Sequence, residues 1–77
     1  MIAWLIEKQD KIHPENPTGE VLGISNKGKV EGLNTIVGWT IPISDSAIRF
    51  ARKIDAENMA QFLVPDIKTI AVEHSWD

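Results

Sequence analysis

At 77 residues, 43% hydrophobic, with a formal net charge of −3 and no cysteine, the chain has the makings of one small domain. A domain of this size buries about 60–65% of the surface its unfolded chain exposes, which leaves little apolar area for a deep cavity. The composition excludes a disulfide framework, a thiolate zinc site and a cysteine nucleophile, and the acidic balance argues against a dedicated nucleic-acid binder, which carries a basic surplus.

The first segment alternates Ile2, Trp4 and Ile6 with Ala3, Leu5 and Glu7. Both faces of such a strand are mostly apolar, the pattern of a strand inside a sheet rather than at its edge. Residues 9–19 then carry His13-Pro14 and Asn16-Pro17; proline donates no ladder hydrogen bond, so this segment reads as an exposed loop. Strand character resumes over residues 20–25, and Asn26-Lys27-Gly28-Lys29 supplies a turn with a glycine for a positive φ. Residues 34–41 form a third strand, with Thr35, Val37, Trp39 and Ile41 on one face and Gly38 on the other, where it admits a close neighbour.

Residues 44–63 carry two helical stripes that disagree. Ala47, Phe50, Ala51 and Ile54 have the i, i+3, i+4, i+7 spacing of a buried stripe, and so do Ala56, Met59, Ala60 and Leu63. At about 100° per residue the two stripes point about 170° apart, so one straight helix cannot aim both at one core. The chain is therefore predicted to break between Arg52 and Asp55. Pro42 disfavours helix at Ile41, Ser44-Asp45 caps a tight turn through Ser46 and Ala47, and residues 48–51 run extended with Phe50 inward. The helix itself covers about residues 53–64, with Asp55 and Glu57 in the first turn, where the dipole favours negative charge, and Pro65 to end it. Residues 67–76 form the last strand, with Ile70, Val72, His74 and Trp76 on one face. Ile70 and Val72 are expected to join Trp4, Ile6, Val37, Trp39, Phe50 and the stripe Ala56, Met59, Ala60 and Leu63 in one core. Residues 1–77 thus read as a single α+β domain: an antiparallel sheet of four to five strands with one α-helix packed on one face. The expected order is strand, strand, strand, turn, short strand, helix, strand.

Several segments together resemble a group of small uncharacterised proteins of tailed bacteriophages and prophages. They are Trp4-Leu5-Ile6-Glu7, Trp39-Thr40, Ala47-Ile48-Arg49-Phe50-Ala51-Arg52-Lys53, Asp55-Ala56-Glu57 and Val72-Glu73-His74-Ser75-Trp76. In that group a tryptophan-containing first strand precedes a Trp-Thr pair, an Ala-x-Arg-Phe-Ala-Arg-Lys-x-Asp-Ala-Glu stretch and a Glu-His-x-Trp ending. The likeness covers both ends and the middle, roughly half the chain, while residues 9–34 have no counterpart. It implies a phage gene product working inside a bacterial host cell, and it brings no activity, cofactor or catalytic residue.

The candidate chemistry is sparse. His13, His74, Glu7 and Glu73 are the residues from which a metal site or an acid–base pair could be built. Metal ligation takes three or four ligands at fixed distances, and no HxH or HExxH spacing occurs. Glu73 and His74 are sequence neighbours and point to opposite faces of a strand, so His74 is expected in a hydrogen-bonded place at the sheet margin. Ser25, Ser44, Ser46 and Ser75 lack a Gly-x-Ser-x-Gly context and suit turns and caps. The five glycines form no phosphate-cradling loop.

Arg49, Arg52 and Lys53 form the densest basic cluster, a candidate contact for a phosphate or an acidic partner. Its plainer reading is a set of solvated side chains at a helix start, paired with Asp45, Asp55 or Glu57. Trp4 and Trp39 are expected in the core. Trp76 must dock on the fold or meet a partner; strand alternation favours docking, and with His74 it makes the candidate interface. A free sheet edge offers a second route to association, by strand pairing.

The leading expectation is a non-enzymatic phage accessory protein that binds a host or phage protein, with host defence machinery among the candidate targets. The alternatives are a nucleic-acid-binding module using Arg49, Arg52 and Lys53, and a small virion or assembly component. A homodimer is a further expected association. No cofactor, metal or catalytic residue is expected. The longest apolar run is about five or six residues, too short to cross a membrane. The charges of the N-terminal segment follow its apolar stretch, the reverse of a signal peptide. The expected location is therefore the host cytoplasm.

Overall fold

The computed structural model describes residues 1–10, 12, 17–24, 31–32 and 37–75. Among the described residues five strands and one helix follow one another: β1 (Ile2–Gln9), β2 (Pro17–Ile24), β3 (Glu31–Gly32), β4 (Val37–Thr40), α1 (Lys53–Leu63) and β5 (Thr69–Ser75). Neighbouring strands are antiparallel throughout, in the spatial order β3-β4-β2-β1-β5. β1 lies inside the sheet, as its two apolar faces demand. The fold is α+β, with the helix on one face of the sheet.

The element order differs from the expected one in two places. Four strands precede the turn rather than three, and in place of the short strand expected over residues 48–51 there are isolated bridges at Phe50 and at Ala47 of the turn. β2 begins at Pro17, inside the segment read as loop. Proline is tolerated at the first residue of a strand, where its missing N–H costs no ladder bond. His13, Thr35, Trp76 and the turn expected at 26–29 lie outside the described residues.

β1 and β2 pair directly at Glu7↔Val21 and Gln9↔Pro17, with a register shift between the two pairs. Gly19 sits in that irregular stretch at φ 77°, and nothing lies within 4 Å of where its Cβ would be. Backbone conformation, not space, is what requires glycine there. The Thr18 hydroxyl donates to the Lys8 carbonyl (2.6 Å) and accepts from the Glu20 N–H (3.2 Å), fixing the bulge.

Beyond Val21 the two strands part, and the segment after β4 fills the gap. Its turn is closed by the Ser44 N–H on the Ile41 carbonyl (3.1 Å), the Ala47 N–H on the Ser44 carbonyl (3.1 Å) and the Ser46 N–H on Ser44 Oγ (3.1 Å). Residues 46–48 then bond to β2: the Ile24 N–H donates to the Ser46 carbonyl (2.8 Å) and the Ile48 N–H to the Leu22 carbonyl (3.0 Å). Two residues later, Phe50 exchanges both backbone bonds with Trp4 of β1, at 2.8 and 2.9 Å. The segment brings the Ser46 carbonyl oxygen to 2.7 Å from the point where a Gly23 Cβ would sit.

α1 starts at Lys53, where the opposed stripes require the break. Arg52 is the N-cap, in extended conformation (φ −127°, ψ 144°), and Asp55 places a negative charge in the first turn. At the other end the Val64 N–H bonds the Ala60 carbonyl (2.9 Å), and Pro65 prevents continuation. The buried side chains of the helix face are Ala56 and Ala60, followed by Val64. They meet Ile6, Leu22, Val37 and Trp39 of the sheet, with Trp4, Ile48, Phe50, Leu63, Ile67 and Ala71 at the margins of this core. On the other face Leu5, Val21 and Ala47 form a smaller cluster.

Two core assignments need correction. Ile70 and Val72 pair with Glu7 and Leu5, so they share the face away from α1; Ala71, paired with Ile6, is the β5 residue against the helix core. Met59, expected in the buried stripe, is 38% exposed. Two alanines one turn apart let α1 sit close on the sheet, and the helix is rolled so that Val64 rather than Met59 completes its buried line.

Gly23→Ala forces its Cβ against a hydrogen-bonded carbonyl that cannot retreat without breaking the bond to Ile24. It should cost about 1–3 kcal/mol in urea denaturation. The roll of the helix is tested by a pair of truncations: Leu22→Ala should cost about 2–5 kcal/mol, and Met59→Ala about 1 kcal/mol or less. A larger loss at Met59 than at Leu22 would contradict this packing.

Candidate functional site

The three cations singled out by sequence flank the start of α1, yet they do not act as one cluster. Arg52 makes no side-chain cap bond. Its guanidinium instead forks onto one carboxylate, Nε donating to Asp55 Oδ2 (2.9 Å) and Nη2 to Asp55 Oδ1 (3.0 Å). The hydrogen bond to Asp55, and then its charge, hold the guanidinium protonated above its ordinary range. Both partners are open to water, so the pair orients Arg52 more than it stabilises the fold. Lys53 extends the other way, with Nζ 5.7 Å from the centroid of the Trp4 ring. Arg49 is exposed. Of the candidate contact for a phosphate or acidic partner, Arg52 is thus paired with Asp55, one of the carboxylates the plainer reading named.

Beside Arg52 lies a shallow apolar depression of about 460 Å³ lined by Phe50, Asp55, Asn58, Met59 and Phe62. Asp55, Asn58, Met59 and Phe62 share a helix face by their i, i+3, i+4, i+7 spacing, and Phe50 reaches it from the segment bonded to Trp4. Phe62 is 80% exposed. A phenyl ring and a thioether presented to water beside a second, half-buried ring form an adaptable apolar surface rimmed by charge. Sequence reading did not single out Phe62. The available signal was that it falls on neither buried stripe, which leaves a large ring with no place in the core.

His74 and Glu7 do come together. His74 stands opposite Ala3, and Glu7 opposite Ile70, with the Leu5–Val72 pair between them. His74 Nε2 is 3.9 Å from Glu7 Oε2, beyond hydrogen-bond reach, and Glu7 is buried. The two side chains meet over Leu5, which is fully shielded from water. They lie on the face of the sheet away from α1. Trp76, the other half of the candidate interface, lies outside the described residues. Among the described residues no group of three or more His, Cys, Asp or Glu side chains could hold a metal ion. No helix among them is long and apolar enough to cross a membrane.

Phe62→Ser tests whether this surface is dispensable for folding. Phenylalanine and serine have similar helix propensities, and the ring is mostly in water, so stability should change by less than about 0.5 kcal/mol. A urea midpoint that falls with Phe62→Ser as far as with Leu22→Ala would place the ring in the core instead.

In comparisons with known proteins, no family model, no curated protein and no solved structure matches this chain.

Proposed function

We propose that this chain is a non-enzymatic protein-binding module, acting in the accessory role in a phage-infected bacterium that its sequence resemblance suggests. The observation that carries the reading is the depression formed by Phe50, Met59 and Phe62, with a ring as exposed as Phe62 in its lining. Aromatic residues and methionine are enriched at protein interfaces, and a few such anchors supply most of the binding energy. The polar part of its lining is Asn58 and Asp55, the latter already paired with Arg52, so the partner's contribution is an apolar side chain. The target class is a host protein, with components of host defence as candidates. A nucleic-acid partner fits less well, because Arg52 is paired with Asp55 and Lys53 lies over Trp4.

The test begins with capture from host lysate on the immobilised chain and identification of the retained protein by mass spectrometry. That protein is then purified and titrated against the chain and its Phe62→Ser variant by calorimetry. Loss of a hot-spot ring should weaken binding by about 30-fold or more. Unchanged affinity would remove the depression as the docking surface. Steeply salt-dependent binding to DNA or RNA, lost when Arg49 and Lys53 become Ala, would favour the nucleic-acid alternative.

A further inference from the structure

We propose that β5 pairs antiparallel with the β5 strand of a second copy of this chain, joining two sheets edge to edge. This inference is independent of the docking surface formed by Phe50, Met59 and Phe62, which lies on another side of α1.

The hydrogen-bond pattern identifies which groups of β5 are open. On β1, Trp4 exchanges both backbone bonds with Phe50, while the Gln9 N–H donates to the Lys68 carbonyl at 3.0 Å. In an antiparallel ladder, successive residues bond to alternate sides. The odd-numbered residues of β1 therefore bond toward β5, and their partners in register are Lys68, Ile70, Val72 and His74. The N–H and C=O groups of Thr69, Ala71 and Glu73 point the other way, to the outside of the sheet. Among the described residues no strand pairs with that side.

The two ends of the sheet are built differently. At the far end, β3 covers Glu31–Gly32 among the described residues. β5 is seven residues long, has no proline and keeps an unbroken register with β1 from Ile2↔Ser75 to Lys8↔Thr69. It carries none of the bulges or prolines that protect exposed edges.

The edge is complementary to itself. With Ala71 set against Ala71 of the second copy, Thr69 exchanges bonds with Glu73, and Ile70 falls opposite Val72 on the face away from α1. Ile70 is 48% exposed in the single chain and gains an apolar cross-strand partner in this register. The register also keeps Glu73 from facing its own copy, where like charges repel. Lys68 comes opposite His74 at the two ends of the ladder, where water and salt screen them. Above the edge, a groove of about 420 Å³ between α1 and β5 is lined by Lys53, Glu57 and Gln61 of the helix and by Thr69 and Ala71 of the strand. Lys53 and Glu57 stand one turn apart. The same two-fold axis runs the second helix antiparallel to the first.

The experiment follows the full chain by sedimentation equilibrium and by amide hydrogen exchange from micromolar to millimolar concentration. We expect a monomer–dimer equilibrium. As dimer forms, the Ala71 and Glu73 amides should slow by about tenfold or more, while Ile70 and Val72, already bonded to β1, change little. Ile70→Lys, which sets a charge against Val72, and Glu73→Pro, which removes one outward donor, should each return the chain to monomer at the same concentration. Phe62→Ser should leave the dimer intact. A monomer at millimolar concentration overturns the proposal, as does a dimer that Phe62→Ser dissociates or that leaves the Ala71 and Glu73 amides unprotected. The exchange pattern is read on the unmodified chain and decides the matter even where a variant unfolds.

Discussion

Residues 46–50 hold the sheet together at the place where it would otherwise come apart. β1 and β2 leave each other after Val21, and without a third segment their facing backbone groups would be stranded beside the core. Each bond from Ser46, Ile48 and Phe50 contributes about 0.5–1.5 kcal/mol net, but leaving such a group buried and unpaired costs about 1–3 kcal/mol. The segment's larger effect is therefore to remove a penalty. Much else follows from it. Gly23 has no room for a side chain because the Ser46 carbonyl lies against it. Ala47 joins Leu5 and Val21 on the open face because the segment lies between β1 and β2. Phe50 is anchored to Trp4, so the chain enters α1 from a fixed point and the helix must begin at Lys53.

Small side chains set the distance between the layers. Ala56 and Ala60 on the helix, with Ala71 at the edge of their contact, let α1 approach the sheet closely, and the larger apolar groups come from Ile6, Leu22, Val37 and Trp39 beneath. Among the described residues the opposite face carries no helix. Glu7 and Thr40 are buried there in register with Val21, and His74 meets Glu7 over Leu5.

The break before Lys53 was legible because two helical stripes of opposed phase cannot share one core, and Pro65 marked the far end by the same local logic. The interior position of β1 was legible because both of its faces are apolar. The orientation of β5 was not. Alternation shows that Ile70, Val72 and His74 share a face, but both faces of this strand mix apolar and polar residues, and only pairing with β1 decides that Ala71 lies under the helix. Met59 was misplaced for a related reason: a stripe containing two alanines is satisfied by a small rotation of the helix, and Val64, just beyond its end, takes the vacant position. The meeting of Glu7 with His74 depends on register between distant strands, which no local spacing encodes. The basic cluster and a pairing of it with Asp55 were legible from spacing alone, whereas the approach of Lys53 to Trp4 was not, because it depends on where the chain enters the helix.

The pairing of β1 with β5 also governs the order in which the molecule can form. Lys8 finds its β5 partner at Thr69, and Ile2 at Ser75, so one side of β1 has no ladder until Thr69–Ser75 is available. During synthesis β1 emerges well before β5. In that interval Trp4, Leu5 and Ile6 belong to an unfinished edge, the state most exposed to misassociation. Closing so long a loop before any reward is collected makes this a high-contact-order fold, slower than a helical domain of equal size. Helix α1 can form locally ahead of that event, but it has no complete surface to rest on until the last strand arrives.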